Sequence, residues 1–195
     1  MKTSIVAAKR CLSALVISTA LSTVLGCSGS ATADGPLDGP DWEKVGSAQV
    51  CMPAKPSATL TFGGDELHNY GHKDVVVDKV SLLEPKGVRL VDAVVLPTRN
   101  TFVGYSNRYP PRKPSLDGLE SAWSHRHPAV GMTIAPQPDS TSDTARTHNL
   151  VVAVRVTGRK KAGMAAVIVD YHVGGTKYRW HNITSLVVET TKAAC

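Results

Sequence analysis

Two histidines flank an arginine in Ser124-His125-Arg126-His127, and Met132 follows five residues after the second histidine. In an extended strand, residues at i and i+2 project to one side, and imidazole suits copper, zinc or nickel. A thioether from Met132 would add a soft ligand of the kind an extracytoplasmic copper carrier needs. The metal candidates are therefore His125, His127 and Met132, with His68 and His72 as a looser second pair in the turn-like stretch 63–73. Against this, a fixed site needs three or four ligands, and Arg126 between the first pair repels a cation. The carboxylates offer less chemistry. Asp65 and Glu66, after Gly63-Gly64, read as adjacent acids in a turn, and Glu84 and Glu120 have no evident partner. No Gly-x-Ser-x-Gly elbow, His-Glu-x-x-His pair or phosphate-cradling glycine loop occurs. The expectation is a non-catalytic protein that uses no cofactor.

The histidine pair lies in the most unusual stretch of the chain, residues 97–128. It holds Pro97, Pro110, Pro111, Pro114 and Pro128 together with Phe102, Tyr105, Tyr109 and Trp123. A connection this long within a compact domain is functional or disordered. Its aromatic content argues against disorder, since disordered segments are poor in such residues. It is expected to fold back over one edge or end of the domain and to present Tyr105, Tyr109, Trp123, His125 and His127 as a binding surface. The competing reading is a packed loop whose Trp123 covers core.

The elements that must position this segment are strands. Short apolar runs separated by Gly, Pro, Asn and Asp give the all-β pattern over 58–62, 74–83, 88–96, 130–135, 149–157, 165–173, 176–181 and 184–190. Only 116–123 has the makings of a helical turn or two. Leu150, Val152, Val154 and Val156 alternate with Val151, Ala153 and Arg155, which predicts a half-buried strand with the first set inward. Val75 and Val77 are out of phase with Val80 and Leu82, so a bulge at Asp78-Lys79 would return all four to one face. Gly174-Gly175 predicts a two-residue hairpin loop. That loop sets Tyr171 opposite Tyr178, Val169 opposite Trp180 and Asp170 opposite Arg179, with His172 and His181 on the polar side.

The amino terminus gives an address. Lys2, Lys9 and Arg10 precede an uncharged, largely apolar run, residues 11–25, which is too short to span a bilayer but suits a signal-peptide core. Residues 28–40 are rich in Ser, Gly, Ala, Asp and Pro, the composition of a flexible linker. The organisation expected is a leader, residues 1–26, a flexible linker, residues 27–45, and one domain, residues 46–195. Of four cysteines, Cys11 leaves with the leader. Cys51 and Cys195 remain near the two ends of the domain and read as a disulfide, as an even remainder does in an exported protein. Removing three basic leader residues from 22 leaves 19 against 16 acids, a net charge of +3. That balance is mild, and without a basic stripe carrying interleaved aromatics no nucleic-acid partner is expected. Arg159-Lys160-Lys161 reads as a solvated turn.

Val24-Leu25-Gly26-Cys27 resembles the bacterial lipobox, with a branched apolar residue three before the cysteine and a small one just before it. Leu25 stands where that motif usually has Ala or Ser. The resemblance implies cleavage before Cys27, a diacylglyceryl thioether on its sulfur and N-acylation, so the membrane becomes a partner and the extracytoplasmic face the location. The alternative is an ordinary signal peptide cut near residues 31–33. The run 149–190 resembles the last strands of an immunoglobulin-like domain. The whole arrangement is similar to the small β-sandwich lipoproteins of high-GC Gram-positive bacteria, with a fold of about seven or eight antiparallel strands. The scattered His and Met also resemble copper-chaperone lipoproteins. The function expected is a lipid-anchored binding or structural domain, with an extracytoplasmic protein or glycan as partner and a copper or zinc carrier as the alternative.

Overall fold

The computed structural model describes residues 35–38, 46–99, 101–137 and 147–191. The expected leader, Cys27, Cys195 and all of the linker 27–45 except residues 35–38 lie outside the described residues. Among the described residues the chain is almost wholly β. The strands are β1 Ala48–Pro53, β2 Thr59–Leu67, β3 Val75–Leu83, β4 Val88–Thr98, β5 Gly104–Ser106, β6 His127–Pro128, β7 Thr133–Ile134, β8 Thr147–Val156, β9 Ala162–Met164, β10 Ala166–Val173, β11 Thr176–His181 and β12 Thr184–Glu189. One short helix, α1 Glu120–Ser124, precedes β6.

Three sheets result, with strand orders β5-β2-β8-β4-β6, β11-β10-β3-β7 and β1-β12-β9. The core of the first sheet, β2-β8-β4, and the pairing of β3 with β10 and β10 with β11 follow the B-E-D and C-F-G orders of an immunoglobulin-like sandwich. All pairings are antiparallel except β1 with β12, which run parallel from Ala48↔Thr184 to Pro53↔Glu189. The described strands outnumber the seven or eight expected, because β1, β5, β6 and β9 are short edge pieces without a strong periodic signal. The expected strand 130–135 shrinks to β7, since Gly131 sits at φ +82° and Met132 N–H turns back to the Ala129 carbonyl.

The core lies between the sheets. Leu60 and Phe62 from β2 and Leu150, Val152, Val154 and Val156 from β8 meet Val75, Val77 and Val80 from β3. Val169, Tyr171, Trp180, Leu186 and Val188 close the same cluster from the other side. The hairpin has the register its glycines dictate: Tyr171↔Tyr178, Val169↔Trp180 and Asp170↔Arg179. Its tyrosine rings stack 5.4 Å apart, and Arg179 Nε donates to Asp170 Oδ1 at 2.7 Å on the opposite face. The β3 ladder shifts register opposite Asp170/Tyr171, leaving Asp78 as the bulged residue, so Val75, Val77 and Val80 all point inward.

Two expectations need correction. Strand β8 is not half-buried: Val151 and Ala153 are as fully covered as their neighbours, because the segment 103–123 lies over the outer face of its sheet. And the linker is not free of buried groups throughout. Gly35-Pro36-Leu37-Asp38 forms a turn, with Asp38 N–H donating to Gly35 O at 2.8 Å and Gly35 N–H to Asp38 Oδ2 at 2.8 Å. Leu37 enters the main core at 3% exposure, and Tyr70 N–H donates to Pro36 O at 2.8 Å. Gly35 is required there, since a methyl group would come within 1.9 Å of the Tyr171 hydroxyl.

Candidate functional site

The outer layer is built on β4 and β8. Val94 and Leu96 from β4 and Val151 from β8 form an apolar floor, which Val103, Leu116 and Leu119 cover, flanked by half-buried Tyr109, Ala122 and Trp123. The segment therefore covers a sheet face instead of an edge or end. Asn149 fixes where it begins, its Oδ1 accepting from Val103 N–H at 2.9 Å while its Nδ2 donates to the carbonyls of Gly63 and Asp65. Further along, the peptide bonds before Pro110 and Pro114 are cis. Leu119 N–H bonds to Leu116 O, and α1 follows with Trp123 N–H on Leu119 O.

On this layer the aromatic residues separate into two places. Tyr109 meets Trp123 edge-on, with ring centres 5.9 Å apart, and its hydroxyl donates to Asp92 Oδ2 at 2.6 Å. Burial, and then the bond to Asp92, push the Tyr109 phenol well above its ordinary pKa. The Arg126 guanidinium lies 4.8 Å from the centre of the Trp123 ring and donates to Trp123 O at 2.9 Å. A cation over an indole gains about 0.5–1 kcal/mol at an exposed position. Tyr105 does not join this group. It faces the interior at the sheet edge, its ring 4.9 Å from Phe62 and its hydroxyl lying over Gly64.

The histidines of the metal expectation sit on different elements. His125 caps the carboxyl end of α1, its Nδ1–H donating to Ser121 O at 2.8 Å, whereas His127 pairs with Val95 in β6. The two do not share one extended strand, because Arg126 N–H still closes a helical bond to Trp123 O. Met132 packs against the main core. In the second pair, His68 meets Tyr70 with tilted rings 4.1 Å apart and its Nε2–H donates to Gln137 O, while His72 is exposed. The neighbour of His68 is His148, whose pKa is lowered by burial and then by the nearby His68. Among the described residues no group of three or more His, Cys, Asp or Glu comes together as a metal cage.

The polar residue that sequence reading misplaced is Asp65. Gly63 and Gly64 form a bulge within β2, between the pairs Phe62↔Val152 and Asp65↔Leu150, so the Asp65 side chain turns to the core side with Phe62. A turn at Gly63-Gly64 would have put it in water. Instead Asp65 is 8% exposed, and Asn182 Nδ2 donates to its two oxygens at 3.0 and 2.9 Å. Burial pushes the carboxyl up to about 6, against the lowering effect of the Asn182 bond. The nearby Tyr105 phenol is raised by burial and by the Asp65 charge, and lowered by its bond to Thr184. Asn182 in turn accepts from Val167 N–H at 2.7 Å and donates to Thr184 O, so the group links all three sheets. The signal that would have found it is the doubled glycine inside an otherwise continuous strand pattern, which marks a bulge as well as a turn.

A separate open cleft of about 550 Å³ lies at one end of the sandwich, lined by Pro53, Ala54, Lys55, Ala58, Asn107, Arg108, Thr190 and Thr191. Chemically, the outer layer presents a half-buried indole engaged by Tyr109 and by the exposed Arg126 guanidinium, groups suited to stacking and hydrogen bonding. No protein-family model and no curated protein sequence matches the chain.

Proposed function

We propose that the chain is a lipid-anchored extracytoplasmic domain that acts by binding, without catalysis, and that its outer layer is the face that meets a protein or glycan partner. The observation that carries this reading is the gathering of Tyr109, Trp123 and Arg126 on a fixed layer, with exposed His125 and His127 on either side of Arg126 in the chain. Aromatic and arginine side chains held rigid at a surface are the residues that dominate binding energy at interfaces. The best-defined carboxylates are engaged in structure: Asp65 by Asn182, Asp92 by Tyr109 and Asp170 by Arg179.

The anchor rests on the basic start, the uncharged run and Val24-Leu25-Gly26-Cys27. The pairing of Cys51 with Cys195 completes the reading. Cys51 is disulfide-bonded, and it lies in β1 beside Val187 of β12. Cys195 follows four residues after Thr191, the last described residue, and is the one other cysteine expected in the domain.

The test is a glycan array probed with the purified chain and with Trp123→Ala and Arg126→Ala. The expected result is a defined set of glycans whose signal drops at least 10-fold in both variants. Equal signals from all three proteins would remove the outer layer from the account.

A further inference from the structure

The geometry points to an anion-binding band at the end of the sandwich that carries the open cleft, shaped for a phosphate-bearing polymer. In the first sheet Arg155 of β8 lies directly opposite Arg89 of β4, and on its other side opposite Thr59 of β2. Val156, the next residue, faces the core with Val88, so the two arginines share the outer face. Both are exposed. Like charges directly opposite on one face repel, and a fold gains nothing by placing them there. Among the described residues neither has an ion-pair partner.

The cleft is a second and independent observation. It opens at the same end, since Ser106↔Thr61 pairing places Arg108 two residues further toward Thr59. Lys55 and Arg108 line it, both exposed and without an ion-pair partner among the described residues, together with Asn107, Thr190 and Thr191 as hydrogen-bonding groups. Lys160 borders it, because its carbonyl accepts from the Thr190 hydroxyl. The described acids near the band are Asp92, opposite Ala153 on the same face and bonded to the Tyr109 hydroxyl, exposed Glu84, and half-buried Glu189, which Lys161 holds at 3.6 Å. Arg89, Arg155, Arg108 and Lys55 thus form a positive band leading into a cavity. Guanidinium groups match the oxygens of a phosphate bidentately, and several in a row suit a chain of them better than a single ion.

A phosphate could also come from a lipid headgroup. The docked turn at Gly35–Asp38 argues for the polymer. It contacts Tyr70, just past Leu67 at the far end of β2, about 26 Å from Thr59 along a nine-residue strand. A tether from Cys27 therefore joins the domain at the end opposite the band, and this choice of source rests on the proposed anchor.

Calorimetric titration of the full chain with inorganic polyphosphate tests the band, beside parallel titrations with orthophosphate and with phosphatidylglycerol vesicles. Expected are saturable binding of polyphosphate, at least 10-fold weaker binding in Arg89→Gln/Arg155→Gln and again in Lys55→Gln/Arg108→Gln, and loss of affinity as salt screens the contact. The unliganded Arg89→Gln/Arg155→Gln variant should melt at the same temperature or higher, because its removal of repulsion costs the fold nothing. Polyphosphate binding that is absent, or equal in all three proteins, overturns the proposal. So does orthophosphate binding as tight as polyphosphate. Binding to vesicles in preference to polyphosphate overturns the choice of source, and a chain without lipid on Cys27 removes the orientation argument while leaving the band to stand on the polyphosphate result.

Discussion

Asp65 shows how much one buried carboxyl can decide. Its pKa rises from 3.8 to about 6 on folding, so between those values the unfolded chain holds fewer protons than the native one. Stability contributed by the protonated form is therefore present below about pH 4 and is lost as pH rises toward 6, by at most about 3 kcal/mol. Urea unfolding of wild type and Asp65→Asn across this range should show the wild type losing stability relative to the variant as pH increases, with no further divergence above pH ~7. Asn149 acts by satisfaction instead of charge. Removing its amide in Asn149→Ala strips the partner from Val103 N–H and from the Gly63 and Asp65 carbonyls. A cost of about 3 kcal/mol follows, read by the same denaturation assay.

At the scale of elements, the outer layer behaves as a small second core. Leu119→Ala should cost about 2–4 kcal/mol, since Leu119 is 7% exposed over Val94, Leu96 and Val151. Thermal unfolding checks that magnitude. The docked turn answers to a different substitution. Gly35→Ala drives a methyl group onto the Tyr171 hydroxyl, so limited proteolysis should cut before residue 46 at lower protease concentration while circular dichroism of the sandwich is unchanged. These elements differ in how far they could be read beforehand. The hairpin around Gly174-Gly175 and the bulge at Asp78 were legible, because both follow from side-chain alternation and local turn chemistry. The burial of Val151 was not, since it depends on a distant segment with no periodicity of its own. The docking of Leu37 was hidden for a related reason: one leucine in a run of Gly, Pro and Asp carries no pattern, and only the surface formed by Tyr70 and Tyr171 gives it a place. Of the candidate surface, sequence placed Tyr109 and Trp123 together but could not show that Tyr105 turns inward beside Phe62.

For the whole molecule, three sheets share one core, and the parallel contact of β1 with β12 joins the first strand to the last. A Cys51–Cys195 bridge across that junction would close most of the domain and contribute on the order of 4–5 kcal/mol in the chain-entropy account. Cys195→Ser should then lose about that much, and adding Cys51→Ser should lose little more; calorimetric melting of the three proteins decides it. The proposed binding face, the proposed anion band and the docked turn all take their meaning from where the domain is held. The most direct measurement is mass spectrometry of the mature protein from membranes of an expressing bacterium, with Cys27→Ser alongside. A lipid anchor predicts a chain beginning at Cys27 that carries diacylglycerol, and a Cys27→Ser protein that has lost the lipid and left the membrane fraction. A mature chain beginning near residue 32, unlipidated and found in the soluble fraction whether or not Cys27 is present, would contradict it.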